Sequence, residues 1–325
     1  AIATVWRFYE LTLKPLHHDE GVNGYFLITL FREGKYTYDP SNYHGPTLYY
    51  ISLAFTKVFG LETFPIRASM AIFGVLMVVG VLFLRKYIGS IGALTAALFV
   101  ALSPGMVYIS RYFIHEIFFV FCSLGIVLGV LFFIEGRKPE IFAVAWMTLL
   151  LLVSFVVPPV MHVGNLLVEA SPATVWVVRI FILALGAFLV FLIMRMLLGW
   201  NEGRPMYLLL ASASLALFFA TKETAFITLG TMLIACGCIW IWRKIFVGVF
   251  GVIKSNELEP VQITWNRFTE RCREADTNIL LFAVIITFAY VGVLFFSSFF
   301  TYWEGVAGAF KAYAIWTKTG TADHT

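Results

Sequence analysis

The chain has 325 residues, of which 60% are hydrophobic and 13% charged, with a net charge of +4 and a mean hydropathy of +0.87. A soluble domain carries roughly 45–50% apolar residues, so the composition excludes a soluble globular protein and describes a polytopic one in contact with membrane lipids. The bases form no stripe, which argues against nucleic acid as a partner, and the 33 phenylalanines suit lipid-facing helices.

Residues 1–16 read as the end of a span whose start lies upstream, leaving the membrane through Arg7, Glu10 and Lys14 toward Pro15. Residues 17–65 then form a large first loop. Its opening stretch, HHDEGVNGYFLITLFREGKYTYDPSNYHGPTLYY (17–50), holds too many ionisable groups to lie in hydrocarbon. Within it, residues 20–33 are expected to form a short amphipathic helix with Val22, Tyr25, Phe26 and Leu30 on one side. Residues 47–59 are expected to form a second helix at the membrane interface.

A hydrocarbon core of about 30 Å needs about 20 apolar residues of helix. Runs near that length fall at 66–84, 91–109, 117–134, 141–161, 174–198, 206–220, 225–242 and 279–298. With the partial first span, the chain is expected to be all-α, a single transmembrane domain over 1–325 with about nine or more spans. The connections alternate in charge. Arg85 and Lys86, Arg137 and Lys138, Arg195 and Arg204, Arg243 and Lys244, and the loop 243–278 carry the bases, which makes that side cytoplasmic. The loop opens with Ile245, Phe246, Val249, Phe250 and Ile253, a pattern for an interfacial helix. Residues 17–65, 110–116, 162–171, 221–224 and 299–325 fall on the extracytoplasmic side, and the last segment is expected to continue further. The four cysteines show neither a disulfide framework nor a zinc spacing.

Four polar constellations on that side carry candidate chemistry. In His17-His18-Asp19-Glu20, adjacent acids can divide labour, one acting as base while the other holds it in place; Asp19 and Glu20 are the catalytic candidates. His18 and Asp19 are also donors for a divalent metal ion, although nothing here resembles a helix with two ligands one turn apart. A hydrated loop start explains the same residues equally well. Tyr38-Asp39-Pro40 and Tyr43-His44-Gly45-Pro46 set aromatic rings beside an acid and an imidazole, a surface suited to a sugar, or a turn stiffened by its prolines. Ser110 to Glu116 is a charged break between spans; Arg111 has the planar fork that grips phosphate, and Glu116 lies at the next span edge. In Thr221-Lys222-Glu223-Thr224 a lysine sits against the charge bias, as for an anionic ligand, or pairs locally with Glu223. His162, Glu169 and Glu304 read as helix-end residues.

The order HHDE, YDPxxYHGPxLYY, SRYFIHE and TKE resembles the C-type (GT-C) membrane glycosyltransferases. It is most similar to the prokaryotic flippase-activity-associated subgroup, related to protein O-mannosyltransferases and lipid A aminoarabinose transferase. The resemblance covers essentially the whole chain and is most specific in the first loop. It implies a multi-pass enzyme of a prokaryotic cytoplasmic membrane that takes a sugar from a polyprenyl-phosphate donor on the extracytoplasmic face. Asp19 would be the base and Arg111 and Lys222 the phosphate contacts, while His17, His18, Tyr38, Asp39, His44, Glu116 and Glu223 would serve substrate binding. Two other readings stay open: a transporter for lipid-linked sugars, and a non-catalytic subunit of a larger membrane complex.

Overall fold

The computed structural model describes residues 1–42, 44–167, 171–242, 244–245 and 265–321. In chain order its helices are α1 (Ile2–Phe8), α2 (His18–Glu33), α3 (Thr47–Phe59), α4 (Thr63–Leu82), α5 (Arg85–Leu102), α6 (Pro104–Arg111), α7 (Glu116–Glu135), α8 (Ile141–Phe155), α9 (Val157–Leu166), α10 (Pro172–Gly199), α11 (Met206–Phe219), α12 (Ala225–Trp242), α13 (Trp265–Glu274), α14 (Thr277–Phe296) and α15 (Glu304–Thr321). Among the described residues no strand forms, and one isolated bridge joins His44 to Lys222.

Seven segments among the described residues are long and apolar enough to cross a membrane: α4, α5, α7, Ile141–Val163, Pro172–Gly203, α12 and α14. The run expected to span at 206–220 is α11, an apolar helix of 14 residues. The chain is an all-α polytopic membrane protein. The expected span 91–109 is interrupted, because Pro104 disfavours helix at Ser103 and begins α6 afresh with Ser103 as its cap. Pro158 and Pro159 likewise open α9 after a break in 141–161. The interfacial helix expected from Ile245 lies, beyond that residue, outside the described residues, as do Glu169 and Tyr43.

The chain divides into two compact units. The first comprises Ala1–Leu124, Leu217–Gln262 and Gly308–Thr325. Its hub is α4, which packs on α1, α3, α5 and α6 and is buried along most of its length. Close approach sets the hub: a Cβ at Gly74 would stand 2.4 Å from Ser110 Cβ and 2.6 Å from Arg7 Nε. Ser52 and Ser69 hydroxyls, 2.6 Å apart, tie α3 to α4. Both loop helices form where expected, but α2 is turned. It buries Glu20, Asn23, Gly24, Leu27 and Leu30, while Val22 and Tyr25 are exposed. Leu30 of the expected face is buried and Phe26 half-buried against Tyr36 and Tyr49, but two polar side chains also lie inside because each meets a partner there, which turns Val22 and Tyr25 outward.

The second unit comprises Gly125–Ala216 and Ile263–Ala307. Gly129 lets α7 approach α11, where a Cβ would stand 2.6 Å from the Tyr207 carbonyl oxygen. Ser212 donates to Val284 O at 2.7 Å and Tyr290 to Ser154 O at 2.8 Å, satisfying polar groups that lipid would leave unpaired. His162 bonds Phe299 O through Nε2 at 3.0 Å, a helix-securing contact.

Candidate active site

The first unit gathers the motif-bearing residues into two neighbouring clusters. One is built on the start of α2, where His17 is the cap and its Nδ1 accepts the Asp19 N–H at 3.4 Å. Glu20 reaches back, Oε2 accepting the His17 N–H at 2.9 Å. The same oxygen accepts Arg67 Nη2 at 2.7 Å, and Oε1 accepts Arg67 Nε at 2.8 Å and the Phe113 N–H at 3.0 Å. Four hydrogen bonds fill the acceptor sites of a fully buried carboxylate. Burial opposes its charge, but the bonds from Arg67 and the two backbone N–H groups outweigh that and hold Glu20 below its ordinary value of 4.5. Arg67 also donates to the carbonyls of Leu11, Lys14 and Pro15 at 2.8–3.1 Å.

Asp19, one position earlier, faces outward with its side chain 67% exposed and 3.6 Å from His17 Nδ1. Neighbouring acids thus take opposite environments, one locked and one open. His18 is exposed beside it. Among the described residues no group of three or more His, Cys, Asp or Glu side chains could hold a metal ion. Arg111 lies near this cluster, donating to the carbonyls of Trp6, Tyr9 and Glu10. With Lys14, Arg67, Tyr108 and Tyr112 it borders a cavity of about 130 Å³.

The second cluster forms where the His44 loop docks on the turn between α11 and α12. Gly45 N–H donates to Thr221 O at 3.0 Å and Thr47 N–H to Ala220 O at 3.4 Å, while the Thr47 and Thr221 hydroxyls meet at 2.8 Å. Only glycine fits at 45, because a Cβ would stand 1.9 Å from Ala220 O. His115, 1% exposed, bonds Gly45 O through Nε2 at 3.2 Å and lies against the His44 ring with centroids 4.6 Å apart. Burial, then the neighbouring His44, pushes its pKa well below 6.5 and keeps it neutral. Lys222 pairs with Glu116 at 2.7 Å, the two side chains 23% and 38% exposed.

Glu223 is 5% exposed. Burial raises its carboxyl from 4.5 to about 7, against the pull of its own backbone N–H and Lys222. Burial and the Glu223 charge raise Tyr313 of α15 to about 12, and the same causes raise Tyr38. Asp39 stands apart in the turn, accepting Ser41 N–H and Oγ at 2.8 and 2.7 Å. The two clusters are connected through Tyr49, whose hydroxyl donates to Asn23 Oδ1 at 3.1 Å and whose ring meets His115 edge-on.

Arg67, His115, Asn23 and Tyr313 were not singled out by the sequence. Arg67 carried a signal, being a lone charge at the start of an apolar run.

Residues 43–185 match the family model of dolichyl-phosphate-mannose-protein mannosyltransferase. The matched stretch carries His44, Arg67, Arg111, His115 and Glu116, while Asp19, Glu20, Lys222 and Glu223 lie outside it. No curated protein and no solved structure matches the chain. Together with the helical architecture, the family match supports a membrane glycosyltransferase of the GT-C type.

Proposed function

We propose that the protein transfers a sugar from a polyprenyl-phosphate carrier to an acceptor hydroxyl on the extracytoplasmic face of a prokaryotic cytoplasmic membrane, with Asp19 as the base. The observation that carries this reading is the division between two adjacent acids: Glu20 is immobilised by Arg67 and backbone donors, so the first turn of α2 presents Asp19 outward from a fixed point. The family match to residues 43–185 supports the donor class, and mannose is the first sugar to test.

The reaction is a single displacement. The acceptor oxygen attacks the anomeric carbon, and its proton passes to an Asp19 oxygen. The bond from that carbon to the phosphate oxygen breaks, its electron pair staying on the departing lipid phosphate. Lys222, a cation beside the His44 loop, stabilises that growing charge. His44 and Glu223 orient hydroxyls of sugar or acceptor. Glu20 is a positioning residue, fixing the helix that bears Asp19.

The test is sugar transfer from radiolabelled polyprenyl-phosphate sugars in membranes, comparing the parent with Asp19→Asn. Loss of transfer at equal protein level is expected. Equal transfer by both, or none by the parent across several donors, refutes the reading and favours a carrier or a non-catalytic subunit.

A further inference from the structure

The chain between α1 and α2 has little regular structure of its own. Helix α1 stops at Phe8, Tyr9 is extended, and Glu10 takes a left-handed φ of 46°. A non-glycine residue there brings its Cβ against the following carbonyl oxygen, so the turn persists only if its surroundings hold it. Arg111 supplies that hold on both sides of the strained residue. Nη1 donates to Trp6 O and Tyr9 O, each at 2.8 Å, and Nη2 to Glu10 O at 3.1 Å.

The next two residues continue along the same chain. Tyr112 sets its ring edge-on to His17 with centroids 6.1 Å apart. Phe113 gives its N–H to Glu20 and takes the Asn23 amide on its carbonyl, both at 3.0 Å. Residues 111–113 thus form a template against which the chain from Trp6 to Asn23 is laid. Arg67 holds the carbonyls just downstream of Glu10; in the upstream turn the backbone adds Tyr9 N–H to Val5 O at 2.9 Å and Leu13 N–H to Glu10 O at 3.2 Å, and Arg111 supplies the side-chain hold. A guanidinium gripping phosphate would turn its fork toward the ligand, whereas here three donors are bound to carbonyl oxygens.

We propose that Arg111 is a positioning residue, whose guanidinium fixes the Trp6–Glu10 turn and thereby the point from which α2 presents Asp19, and not a ligand of the donor phosphate. The inference rests on the reading of Asp19 as base, but its test has a readout independent of activity.

Full-length parent, Arg111→Gln, Arg111→Lys and the double variant Arg111→Gln with Glu10→Gly are compared in lipid nanodiscs. Amide hydrogen exchange over residues 9–20 is followed together with transfer kinetics using a polyprenyl-phosphate sugar. Arg111→Gln is expected to speed exchange there about tenfold or more and to lower kcat about a hundredfold, the order expected for a small misplacement of a reacting group, with donor KM unchanged. Arg111→Lys, which can still satisfy one or two carbonyls, falls between. Glycine at position 10 removes the strain, so the double variant regains part of both exchange protection and rate, a rescue that loss of a phosphate ligand would not show. If Arg111→Gln does not accumulate, Arg111→Lys and the double variant carry the same comparison. Unchanged exchange with a tenfold or greater rise in donor KM overturns the proposal and makes Arg111 a phosphate ligand. If the parent transfers nothing, the proposed function falls, while the exchange comparison still decides whether the clamp exists.

Discussion

The sharpest quantitative consequence of the fold concerns Glu223. The residue is 5% exposed, its neighbour Lys222 is paired with Glu116, and its surroundings raise its pKa from 4.5 to about 7. A proton is therefore held more tightly in the folded than in the unfolded chain. The stabilisation is full below 4.5 and is lost as pH rises through about 7. At about 1.36 kcal/mol per pH unit, the full loss is about 3 kcal/mol, and about 2 kcal/mol of it falls between about pH 5.5 and 8.5. Glutamine copies the neutral carboxyl and does not titrate. The stability of Glu223→Gln relative to the parent should therefore grow by about 2 kcal/mol across that window. His115, buried and neutral, acts in the opposite sense, losing stability as pH falls through 6.5, but it is present in both proteins and cancels. The assay is the apparent melting midpoint of purified parent and variant in one detergent across that range. Parallel curves would refute the reasoning and mean that solvent reaches the Glu223 carboxyl.

Two further substitutions test the scaffold around the clusters. Arg67→Ala strands the fully buried Glu20 carboxylate and should destabilise the protein by about 3–5 kcal/mol; adding Glu20→Gln should return a large part, measured by a double-mutant cycle of melting midpoints. Gly45→Ala places a Cβ against Ala220 O, which should part the His44 loop from Thr221 at a cost of about 1–3 kcal/mol. It should also expose His115, read as faster chemical modification of that histidine.

The order of helices was legible because it depends on run length and composition, quantities local to each span. What the local pattern left out has a common physical origin. The buried side of α2 is decided by Arg67, 47 residues from Glu20, and by Tyr49, 26 residues from Asn23; apolar spacing cannot report a polar residue that goes inside to meet a distant partner. The candidate acids and a division between them were legible, but not the partner that enforces it, since Asp19 is left open and Glu20 buried by which way the first helical turn points each toward Arg67.

Arg67 was nonetheless within reach. It stands one residue into an apolar run, and the positions three and four away on either side are Thr63, Phe64, Met70 and Ala71, so its own helix offers no counter-charge. A buried guanidinium keeps its charge, so without a local acid it must find acceptors elsewhere in the chain, carbonyl oxygens as for Arg7 or a distant carboxylate as for Arg67. The first loop contains a Glu directly after an Asp, both facing the same restriction on burial. An unpaired charge at a span edge is thus a request for a partner, and here the partner it selects is the acid beside the proposed base. The same bond that makes Arg67 tolerable in an apolar helix is the one that aims Asp19.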